Sequence, residues 1–229
     1  MNILVTGASR GIGECIAKNL DGTIFAVGRN EDKLKQYQNY LVCDFERNID
    51  KLEEYITSNN IDVIINNAGE YIYKEADKME MPEIERITRV NLEVPMYIIS
   101  KALPYMKAQK WGRIINIGSI SGVMGEAGAS IYSASKSGLI GMTKAIALEV
   151  AQDNITINTI NPGWVETDLG LNSVEDSEFS KDEIVDCIPQ RRFVEPKEIA
   201  GMVKYLISQE AKGVTGQSIN LCAGLSVGY

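Results

Sequence analysis

A tyrosine and a lysine four positions apart have the spacing that most directly suggests chemistry in this sequence. Tyr132 and Lys136 lie in "YSASK", at the start of a segment with helical periodicity. Positions i and i+4 share a helical face, so the ammonium is expected beside the phenol. A nearby positive charge lowers a tyrosine pKa from its usual value of about 10. The pair predicts a tyrosine that transfers protons at neutral pH, although an isolated YxxxK is more often part of an ordinary amphipathic helix.

The sequence contains no histidine. This excludes Ser-His-Asp and Cys-His nucleophile systems and the commonest metal ligand, and we expect no metal site. Two polar residues can assist the tyrosine. Ser119 ends an apolar run thirteen residues before Tyr132, and its hydroxyl can hold a substrate oxygen. Asn91 lies within a helical segment, an unfavourable place for asparagine, and is predicted to anchor a water or a backbone carbonyl in a proton relay.

A glycine-rich loop, "TGASRGIG" (6–13), follows the first apolar run and opens the first helical segment. Gly7, Gly11 and Gly13 allow a tight turn and a close approach of backbone to ligand. The N–H groups at the start of the following helix can then bind a pyrophosphate. A tight turn without a ligand is the alternative for the loop alone. Its place after the first strand favours nucleotide binding.

Two arginines indicate which dinucleotide is bound. Many dinucleotide folds end their second strand in an acidic residue that binds the ribose 2′-hydroxyl, but this sequence has Arg29 there, in "VGRN". Arg29 and Arg10 can pair with a 2′-phosphate, which favours NADP over NAD, whereas solvated surface arginines are the alternative. Asp44 is expected to contact the adenine or to cap the next helix. The sequence "NNAG" (66–69) ends the fourth strand, where small residues leave room for a cofactor.

Short apolar runs alternate with helical segments along the chain. The predicted strands are 2–6, 23–28, 40–44, 62–66, 113–119, 155–161 and 218–222, and the predicted helices are 11–20, 30–38, 46–59, 81–109, 131–152 and 196–208. The strands are continuously apolar, so helices should cover both faces of a parallel sheet. The sequence thus predicts a single-domain, Rossmann-type, doubly wound α/β fold of about seven strands over residues 1–229.

The segment 162–195 departs from this alternation. It is polar and acidic and follows "NPG", a composition that indicates a mobile flap over cofactor and substrate. Trp164, Leu169 and Phe179 are candidates to line the pocket, with ordinary packing as the alternative for each.

Composition and charge limit the partners and the compartment. The formal net charge is -8, and no run of basic residues forms a patch for nucleic acid. No apolar stretch approaches the roughly 18 residues that span a bilayer, and no leader segment precedes the first strand. The four cysteines are widely spaced, which is typical of reduced thiols. We therefore expect a cytoplasmic protein without a nucleic-acid or membrane partner.

Taken together, the motifs resemble a known family. The motifs "TGASRGIG", "NNAG", Asn91, Ser119, "YSASK" and "NPG" occur in the order and spacing of the short-chain dehydrogenases/reductases, and the resemblance covers nearly all 229 residues. It implies a catalytic tetrad of Asn91, Ser119, Tyr132 and Lys136. It also implies a cofactor site formed by Thr6, Gly7, Arg10, Gly11, Ile12, Gly13, Arg29, Asp44, Asn67, Ala68, Gly69, Tyr132, Lys136, Pro162, Gly163 and Thr167.

The family resemblance implies hydride transfer between a nicotinamide and a carbonyl carbon. In this mechanism Tyr132 gives or takes the proton on oxygen, Ser119 orients the carbonyl, and Lys136 grips the ribose and tunes Tyr132. Family members are usually tetramers, so a homo-oligomer is expected. A sensor or scaffold that binds NADP without turnover is an alternative, but loss of the tetrad would be its signature.

Within the family, residues 112–151 are similar to 3-oxoacyl-[acyl-carrier-protein] reductases. Those enzymes hold the acidic carrier protein through two basic residues near the mouth of the site. The two positions align with Lys110 and Asp153, so the second carries a negative charge in this sequence. A patch at Lys107, Lys110 and Arg113 can compensate. Reduction of an acyl-carrier-bound carbonyl is thus the first prediction, and reduction of a small ketone or secondary-metabolite intermediate is the alternative.

Overall fold

Seven parallel strands form a single sheet in the order β3-β2-β1-β4-β5-β6-β7. This computed structural model describes residues 1–47, 49–175 and 180–227, except the side chains of Asn172, Ser173 and Glu175. The strands are β1 (Asn2–Thr6), β2 (Thr23–Gly28), β3 (Asn39–Val42), β4 (Val63–Asn66), β5 (Gly112–Ile117), β6 (Ile155–Pro162) and β7 (Ser218–Leu221). The predicted doubly wound, Rossmann-type parallel sheet is confirmed.

Helices pack on both faces of this sheet. They are α1 (Gly11–Asn19), α2 (Glu31–Leu34), α3 (Ile49–Thr57), α4 (Met81–Thr88), α5 (Val94–Gln109), α6 (Ser121–Met124), α7 (Ser130–Val150), α8 (Asp168–Glu175), α9 (Lys181–Cys187) and α10 (Pro196–Leu206). Among the described residues, none of these helices is long and apolar enough to cross a membrane.

The two faces of β1 show why consecutive residues at the centre of a strand are apolar. Leu4 belongs to the core that α3, α5 and α7 form on one face of the sheet. Its neighbours Ile3 and Val5 belong to the core beneath α1 and α10 on the other face. Successive strand side chains point to opposite faces, and both faces are covered, so Ile3, Leu4 and Val5 are all apolar.

The predicted helix over 81–109 is interrupted near its middle. A π-helical turn, Arg89–Glu93, separates α4 from α5 and contains the fully buried Asn91. Pro95 stands at the start of α5 and has no N–H to donate to the carbonyl of Asn91, so the regular ladder cannot continue there. The wide turn directs the Asn91 side chain toward the end of β4.

The strand order reverses direction between β1 and β4, because β2 and β3 lie on one side of β1 and the later strands lie on the other. In open α/β sheets, ligands bind at the carboxyl ends of the strands beside such a reversal. The glycine loop and "NNAG" follow β1 and β4, so both border this crevice.

Candidate active site

One large cavity, of about 1190 Å³, lies at the carboxyl ends of the strands. Most of the predicted cofactor residues line it: Gly7, Arg10, Gly11, Ile12, Arg29, Asp44, Asn67, Ala68, Gly69, Tyr132, Lys136, Pro162, Gly163 and Thr167. Ser119 lines it as well. A cavity of this size can hold a dinucleotide with a small substrate beside it.

Two predicted cofactor residues, Thr6 and Gly13, do not line the cavity but support its wall. The Thr6 hydroxyl accepts hydrogen bonds from the backbone N–H groups of Asn67 and Ala68, both at 3.0 Å. A Cβ added at Gly13 would lie 2.3 Å from the Gly7 carbonyl oxygen and 2.4 Å from Asn67 Nδ2. The loops after β1 and β4 are therefore fastened to each other through contacts that leave no room for a side chain at Gly13.

The glycine loop has the shape that a pyrophosphate requires. Gly7 and Gly11 have φ angles of 67° and 55°, in the left-handed region that glycine adopts without strain. Arg10 occupies the N-cap of α1 and has no acceptor atom with which to cap the first N–H groups of that helix. Those N–H groups and the Arg10 charge fit the phosphates of a dinucleotide.

Arg29, the predicted 2′-phosphate ligand, forms an ion pair across the crevice. Its Nη1 lies 2.8 Å from Glu70 Oε1, and the other carboxylate oxygen of Glu70 lies 3.3 Å from Arg86 Nε. The Arg29 side chain remains 60% exposed. Asp44 also lines the cavity and accepts the Glu46 backbone N–H, so it caps the turn that follows β3.

Tyr132 and Lys136 share a face of α7, as their spacing predicts. The Lys136 ammonium lies 5.7 Å from the centre of the Tyr132 ring. Lys136 is buried and donates to the Ile117 carbonyl at 2.9 Å, which fixes it at the end of β5. Ser119 follows the same strand, and its hydroxyl forms a hydrogen bond with the Tyr132 hydroxyl. Phenol, hydroxyl and ammonium thus meet at one point of the cavity.

The prediction that the pKa of Tyr132 is lowered is wrong, because the protein's own groups raise it. Burial raises the pKa of Tyr132 to about 12, and the Glu126 carboxylate adds to the rise, whereas the Ser119 hydrogen bond opposes it. Burial also lowers the pKa of Lys136 to about 8. The helical spacing correctly placed the two groups together, but removal from water is the largest cause of both pKa shifts at this site.

Asn91 does not line the cavity and acts behind its wall. Its amide accepts the Glu70 N–H and donates to the Glu70 carbonyl, both at 2.9 Å, and donates to Ser135 Oγ at 3.2 Å. A Cβ at Gly69 would lie 3.3 Å from Lys136 Nζ and 3.4 Å from Asn91 Oδ1. The predicted contact with a backbone carbonyl is present, and its effect is to position the chain after β4 against Lys136.

A carboxylate network beside Tyr132 was not found by sequence reasoning. Glu126 Oε1 accepts the Tyr71 hydroxyl at 2.7 Å, and Oε2 accepts the Ser121 hydroxyl at 2.6 Å. Ser119 in turn donates to Ser121 at 3.0 Å. The Tyr71 ring packs edge-on against Tyr132, with 5.0 Å between centroids. The only feature of the sequence that indicated this network was Glu126, an acidic residue among mostly small residues before Tyr132.

The segment after β6 closes one side of the cavity. Trp164 and Leu169 line it, as predicted, whereas Phe179 lies outside the described residues. A Cβ at Gly11 would lie 3.4 Å from the Thr167 methyl group, so this segment touches the glycine loop.

Sequence comparisons identify relatives over the full length of the chain. A profile of the family described as short chain dehydrogenase matches residues 1–178. Nodulation protein G of Azospirillum brasilense is 35% identical, with 97% of each chain covered. The 3-oxoacyl-[acyl-carrier-protein] reductase FabG of Rickettsia prowazekii is 34% identical, with 97% of this chain and 95% of that protein covered.

Solved structures agree with these relatives. A variant of actinorhodin polyketide ketoreductase, crystallised with NADPH, has a TM-score of 0.92 at 33% identity and covers 98% of this chain and 97% of its own. YwfH, an NADPH-dependent reductase involved in bacilysin biosynthesis, has a TM-score of 0.93 at 26% identity and covers 100% of this chain and 99% of its own. The chain belongs to the short-chain dehydrogenase family and is an oxidoreductase.

Proposed function

We propose that the protein is an NADPH-dependent reductase that converts a carbonyl to a hydroxyl, with Tyr132 as the general acid. The observation that carries the proposal is the meeting of Tyr132, Ser119 and Lys136 in a cavity that continues to the glycine loop. When bound, NADPH supplies the hydride. Its phosphates would be held by Arg10, Arg29 and the start of α1, and its ribose by Lys136.

The protein's residues bind the carbonyl and deliver its proton. Ser119 and Tyr132 both present hydroxyl groups to a substrate oxygen, and Tyr132 donates its proton as negative charge develops there. Because burial keeps the pKa of Tyr132 at about 12, the phenol is protonated at neutral pH, the form that reduction requires. Lys136, with a pKa of about 8, is charged there and stabilises the phenolate left behind.

Reduction of a 3-oxoacyl group on acyl carrier protein, as in fatty acid synthesis, is the first candidate reaction. It is supported by relatives that bear the name 3-oxoacyl-[acyl-carrier-protein] reductase at 34% identity. The alternative, a small ketone or secondary-metabolite intermediate, is favoured by polyketide and bacilysin enzymes among the structural neighbours.

The two positions expected to hold the carrier protein also favour the alternative. Lys110 pairs with Asp153, and the pair precedes β5 and β6, at the edge of the sheet opposite the cavity, rather than at the site mouth. Arg113 is fully buried, so the expected patch of Lys107, Lys110 and Arg113 does not form in the subunit.

The candidates are separated by their substrates. We expect the protein to oxidise NADPH with acetoacetyl-acyl carrier protein, with a kcat/KM at least about tenfold above that for the same acetoacetyl group on free pantetheine. Loss of NADPH absorbance is the measurement. Activity restricted to a panel of ketones and aldehydes would replace the first candidate by the second. Absence of turnover with every carbonyl compound would favour the sensor alternative.

The choice of NADPH is tested at Arg29. We expect Arg29→Leu to weaken NADPH binding about tenfold, because an exposed charge-assisted contact with the 2′-phosphate is lost, and to leave NADH binding unchanged. Arg86→Leu is the matched control, since Arg86 contacts the same Glu70 carboxylate but does not line the cavity. Direct titration of cofactor fluorescence gives both affinities. Equal weakening of NADPH and NADH by Arg29→Leu would contradict the assignment.

We also propose that the protein is a single-domain cytoplasmic homotetramer, with 162–195 as a flap over the substrate. The support is the contact of this segment with the glycine loop and the family's usual assembly. Sedimentation of the purified protein tests the subunit number.

A further inference from the structure

The two ends of the cavity differ in their balance of charge. Of the described residues that line it, the cations are Arg10, Arg29, Lys33 and Lys136. The first three lie at the end formed by the glycine loop and the ends of β2 and β3, together with the carboxylates of Asp44 and Glu70. Lys136 is buried in the floor. The part around Tyr132, here called the substrate end, contains Glu126. The segment after β6 adds Asp168, Glu183 and Asp186 to the lining of the cavity. Asp186 is paired with Arg191.

Glu126 is fixed at the substrate end. Each carboxylate oxygen accepts one short hydrogen bond, from the Tyr71 and Ser121 hydroxyls at 2.7 and 2.6 Å. Charge-assisted hydrogen bonds of this length hold the side chain in one place. The neighbouring Tyr71 ring contacts Tyr132, so the negative charge stands close to the proton donor.

The same hydrogen bonds remove the groups that could bind an anionic substrate. Tyr71 and Ser121 both direct their protons to Glu126. A substrate carboxylate at this end would meet a fixed negative charge and hydroxyl groups that are already engaged. An ester, thioester or amide carries no charge to be repelled.

We propose that Glu126 is a specificity-determining residue that makes the substrate end select carbonyl compounds without a negative charge near the reacting carbonyl. Neutral 3-oxo esters, thioesters and amides are accepted, 3-oxo compounds with an ammonium group are accepted at least as well, and those with a free carboxylate are rejected. This inference rests on the proposed reductase function and specifies its substrate class.

The test uses three acetoacetamides that differ only in the charge at the end of the N-substituent: carboxymethyl, 2-hydroxyethyl and 2-aminoethyl. With NADPH and the wild-type protein, we expect kcat/KM for the carboxymethyl compound to be at least about tenfold below that for the hydroxyethyl compound. In Glu126→Gln, which keeps the size of the side chain and one of its two acceptor atoms, the difference in kcat/KM should shrink to about threefold or less. Glu54→Gln makes the same change of net charge at an exposed position of α3. It should leave the wild-type difference between the two compounds unchanged.

The outcomes separate this inference from the reductase proposal. If the hydroxyethyl compound is reduced and the carboxymethyl compound is reduced equally well, the inference is overturned and the reductase stands. The inference is also overturned if the ratio of kcat/KM for the hydroxyethyl and carboxymethyl compounds is the same in Glu126→Gln as in the wild-type protein and Glu54→Gln. If no amide is reduced, calorimetric titration of the NADP-loaded wild-type protein decides. Weaker binding of the carboxymethyl compound supports the inference while the reductase proposal fails, and equal or absent binding overturns both.

Discussion

Replacing Tyr132 by Phe should lower kcat for carbonyl reduction by a factor of about 10² to 10⁴, the usual contribution of a positioned general acid. The phenol is the proton donor in the proposed reaction, and Phe keeps the ring that packs against Tyr71. Binding of NADPH, measured by fluorescence titration, should change little. Stopped-flow measurement of a single turnover separates the chemical step from product release.

Tyr71→Phe is the matched control, because it removes a phenolic hydroxyl from the same cavity without removing the donor. It should reduce kcat by less than about tenfold. The pH profile adds a second check. Because the pKa of Tyr132 is raised to about 12, loss of its proton should not limit reduction at neutral pH. The rate of reduction should decline above pH 8, because Lys136, whose pKa is about 8, loses its charge there. A Tyr132→Phe protein with more than about a tenth of wild-type kcat would refute the assignment.

Replacing Gly13 by Ala should lower the free energy of unfolding by about 3 kcal/mol, at the upper end of the usual cost of overpacking. The added methyl group would meet the Gly7 carbonyl oxygen at 2.3 Å and Asn67 Nδ2 at 2.4 Å. Neither group moves freely, since Asn67 Nδ2 donates to the Thr6 carbonyl at 2.9 Å. Calorimetry should show a Tm lower by about 6–12 °C, together with weaker NADPH binding.

Gly201→Ala is the corresponding control in another helix. Gly201 lies within α10, is exposed, and has no atom within 4 Å of an added Cβ. Alanine there should raise the free energy of unfolding by about 0.5–1 kcal/mol, because it favours the helical state. If both substitutions shift Tm in the same direction and by similar amounts, the close packing at Gly13 does not explain the lower Tm of Gly13→Ala.

The fold could be predicted from the sequence because its signals are local. Continuous apolar runs such as 2–6 and 155–161 identify strands covered on both faces, and each predicted strand lies within two residues of the observed bounds. The π-helical turn was not predicted. Its position depends on Pro95 together with contacts between Asn91 and Glu70, which lie 21 residues apart in the sequence.

The candidate site was predicted only where its residues are close in sequence or belong to a motif. Tyr132 and Lys136 lie one helical turn apart, so their proximity could be deduced. The bond between Tyr71 and Glu126 joins residues 55 positions apart, and only the folded chain brings them together. The Tyr132 pKa was misjudged for a related reason: spacing reveals a neighbouring charge but not the loss of water around it.

The π-helical turn between α4 and α5 also constrains how long this part of the chain must be. A π-helical turn holds one residue more than an α-helical turn, so deletion of a single residue within 89–93 would remove the wide turn that separates α4 from α5. The Asn91 amide would then lose its register with Glu70. Chain length in this turn, and not only residue identity, therefore fixes the wall behind Lys136.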